Sequence, residues 1–407
     1  IKNNLNTGIP IVLQIAKLIP QSILNEVVEE TGSDAYYKTL TTQKQLVCLL
    51  YGVITKCNSF NVLCKNLQFL ENKLTSIGIE DLPRRSTLGD ANVKRSSSVF
   101  ELLYTHLYEH YATLLNNETY SFISDIDGSK QIEIIDSSTI SLFSEIFRGA
   151  GRNCLTGVKK GGLKIHAKLP LGGVTPNMVH ITEAACNDKN FLGQLAIQFN
   201  TIYVFDKGYV NYLKWLEMDQ TGAYWVTRLN KNAQYEILSQ KVYDCIEYAD
   251  GGIISDSIIQ LKSKKATVKA RLIFYKDPES GKVLSFISNL FDYNPLTIAQ
   301  LYKYRWSIEV FFKRLKQNFQ TDYFFSDSSN GIKTQIWIVL IANLLMSVIH
   351  ALTKQKECFS TTVTMAACNM SSYTSLIAII CQERPSKKPK IRIVQLKLFS
   401  KNKGVVF

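Results

Sequence analysis

The sequence predicts an α/β protein with an α-helical N-terminal domain. Three patterns lead to this prediction: apolar residues at helical spacing up to about residue 118, alternating strands and helices after it, and a run of strands between residues 231 and 293. The length of 407 residues and the hydrophobic content of 46% suit a globular chain of roughly two to three domains. This composition excludes disordered, collagen-like and coiled-coil chains.

Residues 1–118 form the predicted helical domain. Apolar positions spaced by three and four residues predict helices over Thr42–Val53, Ser59–Asn72 and Ser97–Asn116. A shorter helix is predicted between the last two, from Ser86 as its N-cap to Arg95. Arg84 and Arg85 flank it, so it has the charge to enter a DNA groove, although an ordinary bundle helix with charged ends fits equally well.

The middle of the chain alternates strand and helix patterns. Three strands, a helix and a further strand follow the order of a ribonuclease-H-like sheet, which other α/β folds share in part. A sheet of this order is predicted for residues 119–230, and residues 294–355 return to helical patterns. Its strands are predicted at Gln131–Ile135, Leu163–Leu171, Met178–Ala185, Thr201–Phe205 and Ala223–Leu229, and its first helices at Asp188–Asn200 and Asn211–Met218.

Residues 231–293 form a β-rich stretch in which strand patterns follow one another without helices. Asn294 and Pro295 end its strands, and Thr297 is predicted to cap a long helix through about Phe319. The last segment, residues 356–407, ends in a basic tail. The predicted strands of the β-rich stretch are Tyr235–Val242, Ile253–Lys262, Thr267–Tyr275 and Val283–Asn289.

The net charge of +13 is concentrated in three stretches. Residues 146–182, 302–316 and 384–407 hold six, five and eight basic residues, and Glu309 is the single acid among them. A local excess of this kind favours a surface that binds a polyanion, such as nucleic acid or a membrane surface, over a general solubilising coat. Independent solvated faces are the alternative.

Several other classes of protein find little support. The nine cysteines contain no C-x-x-C pair, which favours scattered reduced thiols in a cytosolic protein over a zinc ribbon. The apolar run Ile336–Leu352 is predicted to be a buried core helix and not a membrane span. No signal-peptide pattern and no phosphate-binding P-loop motif occur in the sequence, so we infer no use of ATP.

Two aspartates follow apolar strands. Asp136 comes after Gln131–Ile135, and Asp206 comes after Thr201–Phe205. Catalytic groups gather at strand ends in α/β sheets, and two carboxylates on neighbouring strands are able to share Mg²⁺ ions. For either aspartate alone, a turn or a helix cap is the ordinary explanation.

A third carboxylate lies on the long predicted helix. At about 100° per residue, Tyr302, Arg305, Glu309 and Lys316 fall within one stripe of about 60°. The carboxylate could complete a metal site while the two cations hold phosphate oxygens and the tyrosine stacks on a base. An exposed, salt-bridged stripe is the alternative. Trp306, Val310 and Leu315, with Phe311 at the edge, are expected to face the core.

The spacing Tyr302-x₂-Arg305-x₃-Glu309-x₆-Lys316 resembles the Tyr-Arg-Glu-Lys signature of a large group of bacterial insertion-sequence transposases. These are DDE enzymes with a ribonuclease-H-like core, and the resemblance implies such a core over residues 119–230 and 294–355, with a β-rich insertion at residues 231–293 between its two parts. Residues 134–138 and 205–209 resemble the boxes around the family's first and second aspartates, and residues 159–166 resemble the segment after the first. The helical N-terminus resembles an accessory domain that some members carry.

The resemblance implies that Asp136, Asp206 and Glu309 are the catalytic, metal-binding triad for two Mg²⁺ ions, with Mn²⁺ as a substitute. It implies that Tyr302, Arg305 and Lys316 bind DNA at the transposon end. Lys164 and His166 alternate on one strand face, so both could face DNA beside Asp136, with ordinary strand exposure as the alternative. Arg84 and Arg85 would contribute contacts from the N-terminal domain.

The implied function is cutting and joining of insertion-sequence ends. The expected partners are the terminal inverted repeats and target DNA, together with a second copy of the chain in a synaptic dimer. No membrane is expected, and the expected location is the bacterial cytoplasm, in association with the nucleoid. Two alternatives stay open: a non-catalytic DNA-binding protein derived from a transposase, and a metal-dependent nuclease without strand transfer.

Overall fold

The structure is a computed structural model that describes residues 8–71, 73–74, 81–116, 126, 128–142, 148–152, 159–243, 252–263, 266–354 and 356–381. Side chains of residues 141–142, 148–152 and 159–160 are outside this description. The basic tail, residues 384–407, therefore lies outside the described residues. So do the side chains of Arg148, Arg152, Lys159 and Lys160 in the first basic stretch.

The N-terminal part is helical, as predicted. The Ser97 to Asn116 helix runs one residue shorter at each end, and the Ser59 helix ends early and passes into a short 3₁₀ turn, Gln68–Leu70. The prediction that Ser86 is an N-cap is wrong, because the short helix already begins at Arg85. The α-helices of the described residues in this part are α1 (Ile11–Ala16), α2 (Gln21–Thr31), α3 (Thr42–Ile54), α4 (Phe60–Leu67), α5 (Arg85–Lys94) and α6 (Ser98–Leu115).

One mixed sheet of ten strands forms the centre of the molecule. In chain order the strands are β1 (Gln131–Leu142), β2 (Arg148–Arg152), β3 (Lys159–Pro170), β4 (Met178–Glu183), β5 (Thr201–Phe205), β6 (Tyr224–Arg228), β7 (Tyr235–Val242), β8 (Gly252–Lys262), β9 (Thr267–Lys276) and β10 (Val283–Ser288). The spatial order β4-β3-β1-β5-β6 has antiparallel β4, β3 and β1 followed by parallel β1, β5 and β6. This order confirms the predicted ribonuclease-H-like core.

The four strands of the predicted insertion extend the core sheet. β10 pairs antiparallel with β6, and β9, β8 and β7 continue outward in that order. The insertion thus joins the core sheet through the pairing of β10 with β6, from Phe286 opposite Arg228 to Ser288 opposite Val226. Strand β2 pairs with the beginning of β3 at the opposite side of the sheet.

Two layers of helices cover the sheet. α7 (Asp188–Gln194) and α8 (Tyr212–Thr221) pack on one face, against the side of β5 and β6 that carries Phe205 and Trp225. The other face is covered by α9 (Pro295–Tyr304), α10 (Trp306–Asn318) and α11 (Ser329–Leu352), and α12 (Phe359–Cys368) and α13 (Leu376–Cys381) follow. The predicted helix Asp188–Asn200 is shorter than expected, ending at Gln194.

α11 is the central core helix. By length and composition it could cross a membrane, but 83% of its apolar window is buried inside the protein. It packs against α3, α5 and α6, and Asn330 joins it to the N-terminal helices. The Asn330 amide donates to the carbonyl oxygens of Asn92 at 3.0 Å and Arg95 at 2.7 Å, and its oxygen accepts from the Ser97 amide at 2.9 Å.

The single helix predicted for residues 297–319 is in fact two, with a break at Arg305. Asn294 is the N-cap, since its side chain accepts from the Leu296 amide at 2.9 Å, whereas the predicted cap Thr297 lies inside α9. The prediction that Trp306 and Val310 face the core is also wrong, as they are 62% and 50% exposed. The buried stripe of α10 is Ile308, Phe311, Phe312 and Leu315, on the opposite side of the helix.

Candidate active site

Asp136 and Asp206 lie side by side at one edge of the parallel part of the sheet. The last parallel pair between β1 and β5 is Ile135 with Phe205, and each aspartate is the next residue in its chain. The prediction that the first strand ends at Asp136 is wrong, because β1 continues to Leu142 against β3. What ends at Asp136 is the parallel pairing, and that places the carboxylate beside Asp206.

The junction between α9 and α10 brings Glu309 to the same edge. The Arg305 guanidinium donates to Asp136 Oδ2 at 2.6 Å and to Glu309 Oε1 at 2.6 Å. The Tyr302 hydroxyl donates to Asp206 Oδ1 at 3.0 Å. The three carboxylates from β1, β5 and α10 are therefore each bonded to one of two side chains at the helix junction.

Burial above all, together with the nearby charges of Asp206 and Glu309, raises the pKa of Asp136 to about 6. The Ser137 amide, which donates to Asp136 Oδ1 at 2.8 Å, and the Arg305 charge act in the opposite direction. Burial and the Asp206 carboxylate raise the pKa of Tyr302 well above its usual value. The edge is thus a partly buried concentration of negative charge that Arg305 only partly neutralises.

The donor set at this edge fits a hard divalent cation. Oxygen ligands from carboxylates are what Mg²⁺ prefers. As the side chains stand, however, no three acidic, histidine or cysteine residues among those described are close enough together to hold an ion. The reason is visible in the contacts: Arg305 lies between Asp136 and Glu309, and Tyr302 holds Asp206. Binding would require these two side chains to release their carboxylates.

The remaining predicted DNA contacts differ in availability. Tyr302 is 9% exposed and its ring lies 5.0 Å from that of Phe286, so it must leave this contact before it can stack on a base. Lys316 is exposed and donates to the Thr139 carbonyl at 3.3 Å. Arg84 and Arg85 are exposed and line a depression of ≈ 660 Å³ beside α5.

Lys164 is held within the protein. Its ammonium, 13% exposed, donates to Asp188 Oδ1 at 2.9 Å and to the Cys186 carbonyl at 2.9 Å. A DNA contact by Lys164 therefore stays a prediction that this arrangement does not favour. The expectation that His166 faces DNA is wrong, because its side chain is fully buried and stacks on Phe191.

Asp188 links the two aspartate-bearing segments and was not singled out by the sequence. Besides Lys164, its carboxylate accepts from Ser137 Oγ at 3.3 Å, next to Asp136. It also lies against Gly208, where an added Cβ would come within 3.0 Å of Asp188 Oδ2. A side chain at this position would press on the Asp188 carboxylate, so glycine suits the close approach of the loop after Asp206. In the sequence, Asp188 is marked only by its place at the start of a helix, where an acidic residue is equally well explained by stabilisation of the helix end.

The buried side chain of His166 provides a test of the packing next to the site. Burial is the main cause that lowers its pKa to about 4, and its ring nitrogens contact Tyr209 Oη at 3.2 Å and Thr182 Oγ1 at 3.1 Å. The unfolded chain, with a pKa of about 6.5, takes up the proton at higher pH than the folded protein does. His166 therefore stabilises the fold fully above about pH 6.5, and this stabilisation is lost as the pH falls toward 4.

We expect the free energy of unfolding of the wild type to fall by about 2 kcal/mol more than that of His166→Gln between about pH 7 and about pH 5. Urea denaturation of both proteins at the two pH values measures the difference. Parallel losses of stability in the two proteins would contradict the burial of a neutral imidazole.

A ribonuclease-H-like sheet with two aspartates at adjacent strands and a glutamate on a following helix defines the DDE class of DNA-processing proteins. Comparison with protein families agrees: residues 127–345, more than half of the chain, match the family described as Transposase DDE domain. The chain belongs to this family, and it is a DNA transposase. Membership implies dependence on a divalent metal ion and action on DNA. Residues 7–80 match a second family, described as Domain of unknown function (DUF4372).

Two individual relatives are named as transposases. A protein of Sinorhizobium fredii named as the transposase y4zB is 28% identical over 272 residues, which cover 65% of this chain and 71% of the relative. A protein of Geobacillus stearothermophilus, named as a transposase for insertion sequence element IS5377, is 23% identical over 234 residues, 56% of this chain and 59% of the relative. Among solved structures, the piggyBac transposase in a synaptic complex with hairpin DNA aligns with a TM-score of 0.46 and 11% identity, over 93% of this chain and 83% of that one.

Proposed function

We propose that Asp136, Asp206 and Glu309 are the catalytic residues of this transposase and hold two Mg²⁺ ions, with Mn²⁺ as a substitute. The observation that carries the proposal is the meeting of three carboxylates from β1, β5 and α10, each bonded to Arg305 or Tyr302. Nothing in the packing of a stable sheet edge calls for three partly buried acids with a single cation between them.

Bound divalent ions would supply Lewis acidity and stabilise charge on the oxygens of the scissile phosphodiester. The protein's own groups divide the remaining work. Asp136, Asp206 and Glu309 would hold these ions at the sheet edge. Arg305 and Lys316 bind non-bridging phosphate oxygens, and Tyr302, once released from Asp206, contacts a base of the transposon end.

The substrates in this proposal are the terminal inverted repeats of an insertion sequence and a target duplex, which the protein cuts and then joins. A dimer holds the two ends, and the N-terminal helical domain, residues 1–118, supplies sequence recognition through Arg84 and Arg85. The charge of +13 adds affinity that depends on salt concentration. Such a protein works in the bacterial cytoplasm, at the nucleoid.

The experiment incubates the purified protein with a duplex that ends in the inverted repeat flanking its gene, with and without Mg²⁺, and follows nicking and joining on a gel. The proposal expects both reactions, and only with the metal. Binding without any cleavage would favour the non-catalytic DNA-binding alternative. Nicking without joining to a target duplex would favour the nuclease alternative.

A further inference from the structure

Arg228 occupies the third position along the carboxylate edge. It is the last residue of β6, the parallel neighbour of β5, and the pairing of Val204 with Val226 sets the register of these two strands. Continued by two residues, this register puts Arg228 level with Asp206. Three adjacent strands therefore present Asp136, Asp206 and Arg228 side by side at the same edge.

The alternation of the strands directs these three residues to one face. Ile135, Phe205 and Trp225 belong to the core under α7 and α8, whereas Ile134, Val204 and Val226 belong to the core under α9 to α11. Since successive side chains point to opposite faces, Asp136, Asp206 and Arg228 share the face that α9 and α10 cover. That is the face from which Tyr302, Arg305 and Glu309 approach.

The neighbours of Arg228 connect it to the site. It stands opposite Phe286 in the antiparallel pairing of β6 with β10, and the Phe286 ring lies 5.0 Å from the Tyr302 ring. Arg228 is close enough for its charge to act on the Tyr302 hydroxyl, although burial and Asp206, which raise the pKa of that hydroxyl, outweigh it. The guanidinium is half-buried at the end of the strand.

Arg228 differs from Arg305 in its partners. Arg305 is bonded to two carboxylates, whereas no carboxylate among the described residues lies within ion-pair distance of Arg228. A half-buried guanidinium without a carboxylate beside an acidic site is available to a ligand that brings its own negative charge.

We propose that Arg228 is a phosphate-binding residue of the active site. It binds the DNA backbone next to the scissile phosphodiester, on the side of Asp206 that lies away from Asp136. The proposal rests on the function proposed above, because it takes the carboxylate edge as the place where DNA is cut. A planar guanidinium binds two phosphate oxygens at once, which gives orientation as well as charge.

The test measures binding of a fluorescent duplex ending in the inverted repeat that flanks the gene, in EDTA, over a series of salt concentrations. Arg228→Gln should weaken binding about tenfold and reduce the slope of log affinity against log salt by about 0.9, the value for one lost phosphate contact. Arg228→Lys should keep the salt slope, because the positive charge stays. It should lose part of the affinity, because an ammonium cannot bind two phosphate oxygens with the planar geometry of a guanidinium.

Lys241→Gln is the matched control. It removes one positive charge from exposed strand β7, which lies four strands from β6, roughly 19 Å away. The affinity and the salt slope of Lys241→Gln should equal those of the wild type. All variants should unfold at the same temperature as the wild type. A wild-type slope in Arg228→Gln overturns the proposal, and so does a loss of slope as large in Lys241→Gln.

Failure of the proposed function would be separable from failure of this inference. Salt-dependent binding is measured without metal and without cleavage, so a protein that binds but never cuts still reports whether Arg228 contacts a phosphate. If Arg228→Gln fails to fold, the comparison of Arg228→Lys with the wild type decides. Equal affinity in those two proteins would show that the Arg228 guanidinium makes no bidentate contact with a DNA phosphate.

Discussion

Glu309→Gln is expected to abolish strand cleavage and to leave the fold and DNA binding intact. The substitution keeps the shape of the side chain and removes one of three charges that would hold the divalent ions. Loss of several kcal/mol of charge stabilisation corresponds to a fall in rate of about a thousandfold or more. Arg305 keeps its bond to Asp136, so the junction of α9 and α10 stays in place.

Glu279→Gln is the control for this change. Glu279 is an exposed acid in the insertion, and its one ion pair with the described residues is a 3.8 Å contact with Lys303, itself exposed. Cleavage of a repeat-ended duplex in Mg²⁺ should proceed in Glu279→Gln at the wild-type rate. Cleavage by Glu309→Gln within tenfold of the wild type would remove Glu309 from the catalytic set, whatever the result for the two aspartates.

Arg271→Met is expected to lower the free energy of unfolding by about 3–5 kcal/mol, as removal of one partner from a buried ion pair does. Arg271 and Asp256 are 8% and 14% exposed and form two bonds, of 2.8 Å and 2.6 Å. The same guanidinium donates to the carbonyl oxygens of Leu290, at 3.0 Å, and of Tyr293. Its removal leaves a buried carboxylate and these carbonyls without their donor.

Urea denaturation of Arg271→Met measures this loss, and Lys262→Met serves as the control. Lys262 pairs with Glu236 across β7 and β8, but both side chains are more than half exposed, so no measurable change is expected. The double variant Arg271→Met/Asp256→Leu should recover part of the lost stability, because no buried charge is then left alone. A loss for Arg271→Met as small as that for Lys262→Met would contradict this account.

The Arg271 contacts also explain how the insertion serves the site. The carbonyls that Arg271 holds belong to the loop that ends at Asn294, the N-cap of α9. This helix carries Tyr302 toward Asp206. The β-rich insertion therefore fixes the start of the helix whose far end closes on the carboxylates.

Much of the site could be predicted from the sequence because it follows from local patterns. Asp136 and Asp206 follow compact apolar runs, and strand neighbours in a ribonuclease-H-like order bring such residues together. The spacing from Tyr302 to Lys316 places the right residue types on the following segment. These signals need only the period of a strand or a helix and the order of elements.

The parts that were wrong or missed depend on contacts between distant segments. The helix break at Arg305 has no proline or glycine to mark it and coincides with bonds to Asp136 and Glu309. Lys164 looked like a surface cation because its partner Asp188 comes from another element. Arg228 carried no motif, and only the register of β5 and β6 placed it beside Asp206.

The Asn330 contacts bear on the distance between α5 and the carboxylate edge of the sheet. By bonding to carbonyls at the end of α5 and to the amide of Ser97, Asn330 ties the N-terminal helices to the same α11 that packs on the central sheet. A duplex read along α5 would then reach the carboxylate edge after a constant number of base pairs. In that arrangement, the rigid packing of α5 on α11 would fix the distance between the recognised DNA sequence and the position of the cut.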